Sequence, residues 1–372
     1  MLRSRRTTRT IVLSLTAAAA AAAPAAALAR TPFLNRFAAV STIGSAVPPS
    51  GPAMGDVNPY GVAVVPRGAG ELRRGDVLVS NFNNAANEQG TGSSIVDFSD
   101  GTAKTFAVLP QPTDAPAVGL TTALVALRSG YVIVGSLPAP GGVSSAARSG
   151  ALSILNSRGQ VVETISGGDI NGPWDMTALD RGRTVVLFVT NVLNGTVAAG
   201  GAGVDRGTVV RIRLTIPRDA APIVTSEEVI ARGFTEHTDP NALVVGPTGV
   251  GLGRHDVLYV ADSAENRLAA IPEALTRTTA LGGGGVTIST GGALNDPLGV
   301  AIAPGGDVLS ANGADGRIVE TTPAGHQVAT KVLVDPGADD LFGLAVAPHR
   351  GGLYFTNDAG SGPAANSLQL LH

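Results

Sequence analysis

The chain of 372 residues has no cysteine, which excludes a disulfide framework, thiol catalysis and zinc held by cysteine. Its two lysines disfavour a mechanism that passes through a lysine Schiff base. Charged residues make up 15 %, against roughly 25 % in an average soluble domain. Aromatic residues are 4 % with a single tryptophan, a poor supply of stacking platforms for sugars or a quinone cofactor. The formal charge of −3 gives no reason to expect nucleic acid as a partner.

Short motifs that carry catalytic chemistry are also missing. The sequence contains no G-x-S-x-G elbow, no H-E-x-x-H pair, no P-loop and no EF-hand loop. Two glycine runs, at residues 200–203 and 282–285, precede no predicted helix and so form no dinucleotide-binding fingerprint. What the chain has in quantity is 49 glycines and 24 prolines among 44 % hydrophobic residues. This composition indicates a large core and many turns, and it excludes disorder and a helical bundle.

The first 29 residues have the organisation of a secretory signal peptide. Met1–Thr10 carries four arginines and no acid, and an apolar run then continues to Ala23. Ala27-Leu28-Ala29 supplies the small residues that precede a cleavage site. The run is shorter than the ~20 apolar residues that a spanning helix needs. We therefore expect residues 1–29 to be removed and the mature protein to be periplasmic or extracellular, free of the membrane. Without the four arginines its formal charge falls from −3 to −7.

One pattern recurs six times after residue 30: two short apolar strands joined by a turn rich in glycine and proline. Residues 296–304, Asp-Pro-Leu-Gly-Val-Ala-Ile-Ala-Pro, and 307–312, Asp-Val-Leu-Ser-Ala-Asn, are the clearest example. The six first strands begin at Asn58, Gly119, Pro173, Asp239, Asp296 and Asp340. A third and a fourth strand follow in most units. Such repeats predict an all-β fold, a six-bladed β-propeller of four-stranded antiparallel blades that occupies residues 30–372.

The sixth unit ends after its third strand, at Ser367–Leu371, and has no fourth strand of its own. An apolar segment at Phe37–Ile43 precedes the first unit and belongs to none. Pairing the two segments would complete the last blade and leave no open sheet edge, which a propeller without disulfides needs. We therefore expect an N-terminal strand to close the last blade of a monomer.

The repeated unit resembles the NHL repeat, whose strands run P-x-G-V-A-V and then G-x-V-Y-V-A-D before a short turn. The match is best at residues 296–325 and weakest at residues 119–160, and the resemblance covers nearly all of residues 38–372. It implies a six-bladed propeller that acts as a binding module for a small molecule, a peptide or a protein.

Asp and Asn recur at one end of the predicted inner strands. In a propeller, the residues before the first strand and those after the second strand share one mouth of the central channel. The first group comprises Asn58, Asp239, Asn241, Asp296 and Asp340, with Asp175 slightly inside its strand. The second group comprises Asn81, Asn191, Asp262, Asn312 and Asn357. Such residues serve tight turns, because their side chains bond local N–H groups and tolerate left-handed backbone. Together they also make this mouth rich in oxygen.

Two functional interpretations of this polar mouth stay open. In the first, a ligand is bound by Asn81, Asn191, Asn241, Asp262, Asn312 and Asn357. In the second, Ca²⁺, which prefers carboxylate and carbonyl oxygens, is held by Asp175, Asp239, Asp296 and Asp340. Long loops would wall one side of the mouth, after the second strands of four blades, at residues 83–92, 138–150, 194–207 and 358–365.

His237 is the one internal histidine that this topology places at the polar mouth, ahead of the predicted fourth inner strand. With Glu236 and Asp239 it forms the densest titratable cluster on that face. Glu236 and His237 are therefore the candidates for general acid–base catalysis. His255 and His349 fall between first and second strands, at the opposite face.

Gluconolactonase-like hydrolases use a related six-bladed ring, and the resemblance to them implies the alternative of a calcium-dependent lactonase or esterase. There a metal held by Glu, Asn and Asp polarises an ester carbonyl. This chain departs from that pattern, because its first blade opens with Asn58-Pro59 and not with a glutamate, and its second contributes no ligand type. Streptogramin-lyase-like propellers depend on histidines at the mouth, where only His237 qualifies. The favoured interpretation is an exported binding propeller.

Overall fold

Glycine and proline turns divide the described chain into 25 strands, which form six antiparallel sheets, the blades of a β-propeller. The structure is a computed structural model that describes residues 31–110, 118–359 and 365–372. Pro32–His372 form one compact unit. The predicted signal peptide, residues 1–29, lies outside the described residues. Within the described ranges no helix is long and apolar enough to span a bilayer. The prediction of an all-β, six-bladed propeller is confirmed.

Strands are numbered in chain order, and each blade runs from its innermost strand outward. The N-terminal strand is β1 (Val40–Ser45). Blade one contains β2 (Val57–Val64), β3 (Val77–Asn83), β4 (Ser94–Ser99) and β5 (Thr102–Val108). Blade two contains β6 (Leu120–Ala126), β7 (Val132–Ser136), β8 (Ala151–Leu155) and β9 (Val161–Ser166). Blade three contains β10 (Pro173–Asp180), β11 (Thr184–Asn191), β12 (Val204–Thr215) and β13 (Ile223–Asp239), with a short β14 (Leu243–Val245).

The remaining three blades are more regular. Blade four contains β15 (Pro247–Leu252), β16 (Leu258–Asp262), β17 (Arg267–Ile271) and β18 (Val286–Thr290). Blade five contains β19 (Pro297–Ile302), β20 (Val308–Asn312), β21 (Arg317–Thr321) and β22 (Gln327–Val332). Blade six contains β23 (Leu341–Val346), β24 (Leu353–Asn357) and β25 (Ser367–Leu371). The helices of the described chain are single 3₁₀ turns at Leu34–Arg36, Pro140–Gly142, Ser144–Ala146, Arg254–Asp256 and Pro348–Arg350.

The innermost strands lie so close together around the channel that one position in several of them needs glycine. A Cβ atom added at Gly249 would lie 2.1 Å from the Leu298 carbonyl oxygen of the next blade. Gly299 and Gly343 approach the carbonyl oxygen of the following blade equally closely, at 2.1 Å from the added atom. These are the glycines of the repeated motif, and the motif contains glycine because neighbouring blades approach closely at this position.

Hydroxyl side chains on the second strands join neighbouring inner strands. Ser80 Oγ accepts a hydrogen bond from the N–H of Gly61 in its own blade, at 3.0 Å, and donates to the Thr121 carbonyl of the next, at 2.8 Å. Thr190 and Thr356 make the equivalent pairs of bonds in blades three and six. Backbone groups near the channel that the strand ladders leave free are thereby paired.

Blade six takes its outermost strand from the N-terminal part of the chain, as predicted. The sheet order is β1-β25-β24-β23, and β1 pairs antiparallel with β25 from Val40 opposite Leu371 to Ser45 opposite Ser367. The strand therefore starts three residues later than the predicted segment at Phe37. β1 covers the edge of β25 and takes the outermost position that a fourth strand holds in the other blades.

A buried glutamate fixes the segment that leads into β1. The carboxylate of Glu320, on β21 of blade five, accepts hydrogen bonds from the N–H groups of Phe33 and Leu34, at 2.7 and 2.9 Å. Leu34 is fully buried and packs against side chains of blades five and six, among them Phe355. The N-terminal segment is thus held both by β25 and by the neighbouring blade.

The innermost strand of blade four is not the one that the sequence pattern predicts. It is β15, and the segment that begins at Asp239 belongs to blade three. There β13 is 17 residues long and pairs with the 12-residue β12 as far as Glu236. Beyond that point β13 pairs His237 with Val245, so Asp239 lies in a hairpin turn and does not begin an inner strand.

We predict that deletion of residues 30–45 makes the protein aggregate, because it removes β1 and exposes the buried β25 as an unpaired edge. Size-exclusion chromatography and thermal melting of the deletion protein test this, with the chain that lacks only residues 1–29 as the control. A deletion protein that is soluble, monomeric and melts cooperatively would contradict the closure by β1.

Candidate functional site

The polar mouth of the channel contains a cavity of about 200 Å³, here called the mouth cavity. Among the described residues, every blade except blade two contributes to its lining. It has an apolar floor, a wall of acids and a cover made by two loops. Pockets for drug-sized ligands span roughly 300–1,000 Å³. The mouth cavity therefore suits a small molecule or one end of a larger molecule.

The floor of the mouth cavity is aromatic. The Tyr60 ring stacks on Phe82 with ring centroids 4.6 Å apart and on Phe342 at 4.3 Å, and it lies 5.8 Å from Trp174 at a tilt. All four rings are buried, and Leu298 lies beside them. The chain is poor in aromatic residues, but four of them, including its one tryptophan, meet at this point.

The repeated motif explains why these side chains converge. Tyr60, Leu298 and Phe342 each precede the motif glycine of an inner strand, and Trp174 holds the same position in blade three. Side chains at this position point along one face of the inner strand, toward the channel. The sequence analysis counted aromatic residues and did not consider their position in the repeat, which is the signal that would have found the floor.

The acidic wall is formed by Asp296, Asp339 and Asp358, from blades five and six. Burial and the neighbouring Asp339 carboxylate raise the pKa of Asp296 to about 6. Burial and the charge of Asp340 raise the pKa of Asp358 to about 7. Burial, together with the charges of the three wall aspartates, raises the pKa of the Tyr60 phenol above its usual range. These shifts share a physical cause, a negative potential in a poorly solvated cavity.

Left-handed backbone places several of the polar side chains. Asn58, Asp296 and Asp339 have φ values of 59°, 55° and 63°, just before or at the start of their inner strands. Asn and Asp tolerate this conformation better than other residues with a Cβ atom. These residues therefore form turns, as expected, and their side-chain oxygen atoms line the mouth cavity.

Two loops cover the mouth cavity. The hairpin between β13 and β14 contributes Asn241 and Ala242, and the loop after β3 contributes Gln89, whose Nε2 donates a hydrogen bond to the Asn241 carbonyl. Asp239 Oδ1 accepts hydrogen bonds from the N–H groups of Asn241 and Ala242, at 2.6 and 3.1 Å, and so stabilises the hairpin turn. Leu243 is buried beneath the turn with a left-handed φ of 65°. A loop of blade one and a hairpin of blade three thus meet across the cavity.

Three buried amide oxygens that line the mouth cavity lack a hydrogen-bond donor within the described ranges: Oδ1 of Asn58, Oδ1 of Asn83 and Oε1 of Gln89. Asn58 and Asn83 are 8 % and 2 % exposed, and within the described part of the chain the Oδ1 atom of each has no partner. The Nδ2 group of Asn83 donates to Asn87 Oδ1 at 2.7 Å, so this side chain is held in place by its nitrogen. A buried acceptor without a donor costs about 1–3 kcal/mol. A ligand that donates to these oxygens would remove that cost.

The four aspartates predicted to hold calcium do not meet at one point. Both oxygens of Asp175 accept backbone hydrogen bonds, Oδ1 from Met176 at 2.7 Å and Oδ2 from Val250 at 3.0 Å. Asp239 stabilises its own turn, and of the four only Asp296 lines the mouth cavity. Calcium takes roughly six to eight oxygens, so this set does not fit one calcium ion. In the described ranges, no three acidic or histidine side chains are grouped so that they could hold a metal ion.

Glu236 and His237 lie on β13, the fourth strand of blade three, and do not line the mouth cavity. Their predicted place ahead of an inner strand is wrong, because β13 continues through this segment. Glu236 is fully buried and accepts hydrogen bonds from the N–H and the Nδ2 group of Asn194, at 2.7 and 3.4 Å. Burial raises its pKa to about 7. The contacts give Glu236 a structural role, and acid–base catalysis by this pair stays a prediction.

The five residues expected to bind ligand from the ends of second strands are buried and engaged in the blades. They are Asn81, Asn191, Asp262, Asn312 and Asn357. Asn81 Nδ2, for example, donates to the Ala46 carbonyl and to Ser94 Oγ, at 2.8 and 2.9 Å. Asp262 accepts from Arg267 at 2.8 Å. Of the predicted ligand-binding residues, Asn241 alone is among the described residues that line the mouth cavity.

The opposite end of the channel opens into a second cavity of about 510 Å³, lined by the far ends of the inner strands. Its walls are mostly aliphatic, and Arg128 and Asp180 lie at its edge. The four long loops predicted to wall the polar mouth contribute unequally. Asn87 and Gln89 come from the blade-one loop, and Asp358 starts the blade-six loop, which lies partly outside the described residues.

The chain shares its fold with solved β-propellers. It matches a gluconolactonase from Xanthomonas campestris with a TM-score of 0.55 and 13 % identity, over 89 % of this chain and 88 % of that one. A luciferin-regenerating enzyme matches with a TM-score of 0.54 and 12 % identity, over 90 % and 94 %. A streptogramin B lyase matches with a TM-score of 0.50 and 15 % identity, over 90 % and 97 %. The protein is therefore a six-bladed β-propeller whose structural neighbours include gluconolactonase-like and streptogramin-lyase-like propellers.

Comparisons of sequence add no family to this result. No protein-family model matches the chain, and no curated protein matches it. The NHL resemblance of the repeated unit therefore stays a prediction. Identities of 12–15 % to the solved structures support a common fold and carry no argument about activity.

We predict that the free energy of unfolding decreases as pH rises from about 4 to about 7. Burial raises the pKa of Asp175, Glu236 and Asp358 to about 7 and that of Asp296 to about 6, above the ordinary values of Asp and Glu. In this window the folded protein holds more protons than the unfolded chain, so raising the pH favours unfolding. Urea denaturation at a series of pH values measures the slope.

The variant Asp296→Asn provides the control for this pH dependence. Asparagine keeps the left-handed turn and removes one titrating group, so its slope should be shallower than that of the wild type. A free energy of unfolding that increases steadily between pH 5 and pH 8 would show that these carboxyl groups do not titrate as the structure implies.

Proposed function

We propose that the protein binds a small ligand in the mouth cavity, as an exported, monomeric propeller from which residues 1–29 have been removed. The basic, apolar and small-residue order of those 29 residues supports export. The position of the mouth cavity supports binding, since it lies at the end of the channel where five blades contribute side chains. Sites assembled from several elements of a rigid scaffold are well suited to hold a ligand in one orientation.

The observation that carries this proposal is the set of three buried, unpartnered amide oxygens in a cavity with an aromatic floor. Buried polar groups in native proteins are nearly always hydrogen-bonded, so exceptions call for a cause. Here the three oxygens, on Asn58, Asn83 and Gln89, lie in the lining of the same cavity. Tyr60 and Trp174 supply apolar surface beside them. Convergent polar groups over an apolar surface are the usual composition of a small-molecule site.

We expect Ala242→Trp to abolish ligand binding. Ala242 is exposed at the hairpin above the mouth cavity and also lines it, so an indole there would fill the cavity and remove no hydrogen bond made by a side chain. Small molecules selected from a fragment library by ligand-observed NMR should lose roughly tenfold or more in affinity. The matched control is Ala324→Trp, at the exposed turn between β21 and β22 on the opposite face.

Selected ligands that bind Ala242→Trp and the wild type equally would contradict the proposed site. Selected ligands that lose affinity for Ala324→Trp and not for Ala242→Trp would also contradict it. Edman sequencing or mass spectrometry of the protein recovered outside the cytoplasm tests export separately, with an N-terminus close to Arg30 as the expected result.

The calcium-dependent hydrolase makes a different prediction, which separates the two functions. If calcium bound the folded state alone, a hundredfold excess over its dissociation constant would add about 2.7 kcal/mol of stability. Asp239→Asn together with Asp296→Asn should then abolish the rise in melting temperature and the hydrolysis of simple lactones. The binding proposal expects the same melting temperature in calcium and in a chelator. Lactone hydrolysis that needs both calcium and these aspartates would replace it.

A further inference from the structure

The charged groups around the mouth cavity are of one sign. Asp296, Asp339 and Asp358 line it, and no lysine, arginine or histidine is among the described residues that do so. Asp340 lies near enough to Asp358 for its charge to act on that carboxyl group. Carboxylates that repel one another in a poorly solvated cavity are stabilised by a cation placed among them.

The aromatic floor attracts a cation through a second interaction. Phe82 and Phe342 stack on the two faces of Tyr60, at 4.6 and 4.3 Å. The ring surface for a cation therefore comes from Phe342 and Trp174, which both line the cavity. A cation within about 6 Å of a ring centroid is attracted by the negative face of the ring, most strongly when water is excluded. The floor also offers apolar surface to an alkyl chain. An organic cation makes use of both the rings and the acids.

The unpartnered amide oxygens narrow the class of cation further. Oδ1 of Asn58 and Oδ1 of Asn83 are buried acceptors without a hydrogen-bond partner among the described residues, and the Tyr60 hydroxyl lies beside the Asn58 side chain. A ligand with N–H groups satisfies them, whereas a quaternary ammonium offers no N–H donor to either oxygen. An inorganic cation has no alkyl part to cover the apolar surface of the floor.

We infer that the ligand of the mouth cavity is a small organic cation that carries N–H donors, a protonated primary amine or a guanidinium. This inference rests on the proposed function and names its ligand class. The charged group lies among Asp296, Asp358 and the amide oxygens of Asn58 and Asn83. The carbon chain packs on Trp174 and Phe342. The volume of about 200 Å³ admits a short alkyl chain with its charged end.

A matched series of probes tests the ligand class. The probes are n-butylammonium, n-butylguanidinium, n-butyltrimethylammonium and the neutral alcohol 1-pentanol, whose alkyl chain is one methylene longer. Binding to the purified protein is followed by NMR titration at pH 8, above the pKa values of Asp296 and Asp358. We expect saturable binding of the first two probes, and at least roughly tenfold weaker binding of 1-pentanol and of the trimethylammonium probe, because charged hydrogen bonds are worth more than packing alone.

Two neutralising variants test the position of the charge. Asp296→Asn keeps the left-handed turn, and Asp358→Asn alters a residue outside the regular strands. Each should weaken n-butylammonium binding by roughly tenfold or more and leave 1-pentanol unaffected. The matched control is Asp100→Asn, which replaces another left-handed aspartate, with φ 50°, in the turn between β4 and β5 on the opposite face. It should bind n-butylammonium as the wild type does.

The outcomes separate this inference from the proposed function. Equal binding of 1-pentanol and n-butylammonium, with loss of both in Ala242→Trp, would overturn the cation inference and leave the proposed site standing. Calcium that binds while the ammonium and guanidinium probes do not would also overturn it. Probe binding that survives Ala242→Trp would contradict both proposals, because the binding would lie elsewhere. Thermal melting of each variant shows whether it is folded. If one of the two neutralising variants does not fold, the other still tests the position of the charge.

Discussion

The close approach of the innermost strands around the channel is the constraint on which the rest of the molecule depends. Neighbouring backbones come so near at Gly249, Gly299 and Gly343 that a Cβ atom would lie 2.1 Å from a carbonyl oxygen. Strands at this distance leave no room for water, so their polar groups must be paired within the protein. Ser80 and Thr190 make such pairings by bonding two inner strands at once. The repeated glycine allows the inner strands to approach closely, and the repeated hydroxyl pairs the backbone polar groups that this approach shields from water.

The same constraint decides where the site can be built. With glycine at one position of an inner strand, the preceding residue supplies the side chain at the polar end of the channel. Tyr60, Trp174 and Phe342 hold that position in three blades and meet there. The turns that lead into these strands need left-handed residues, and Asn58 and Asp296 fill that need with oxygen-bearing side chains. The architecture thus brings an aromatic floor and a polar wall to one mouth.

The sequence pattern predicted the features that repeat, and it was wrong or silent where a blade departs from the repeat. The alternating strands and the incomplete last unit were sufficient for six blades and for closure by an N-terminal strand, which the pairing of β1 with β25 confirms. The Asp239-Pro240 pair matches the pattern that begins inner strands in other blades, and it led to a wrong assignment. The 17-residue β13 extends through Asp239 because it remains paired first with β12 and then with β14. The acids of the wall, Asp339 and Asp358, come from irregular segments that no periodicity marks.

Asp175 shows how the two ends of the channel are kept apart. It holds the position that glycine holds in other blades, and its buried carboxylate accepts a hydrogen bond from the N–H of Val250 in the next blade. In blade three a side chain therefore joins neighbouring inner strands, whereas in other blades their backbones are in direct contact. The boundary between the two cavities falls at this level. Trp174 and Phe342 line the mouth cavity, whereas the residues that follow them, Asp175 and Gly343, line the opposite one. The aromatic layer therefore divides the channel, and a ligand in the mouth cavity must enter from the polar face, past the loops that join over it.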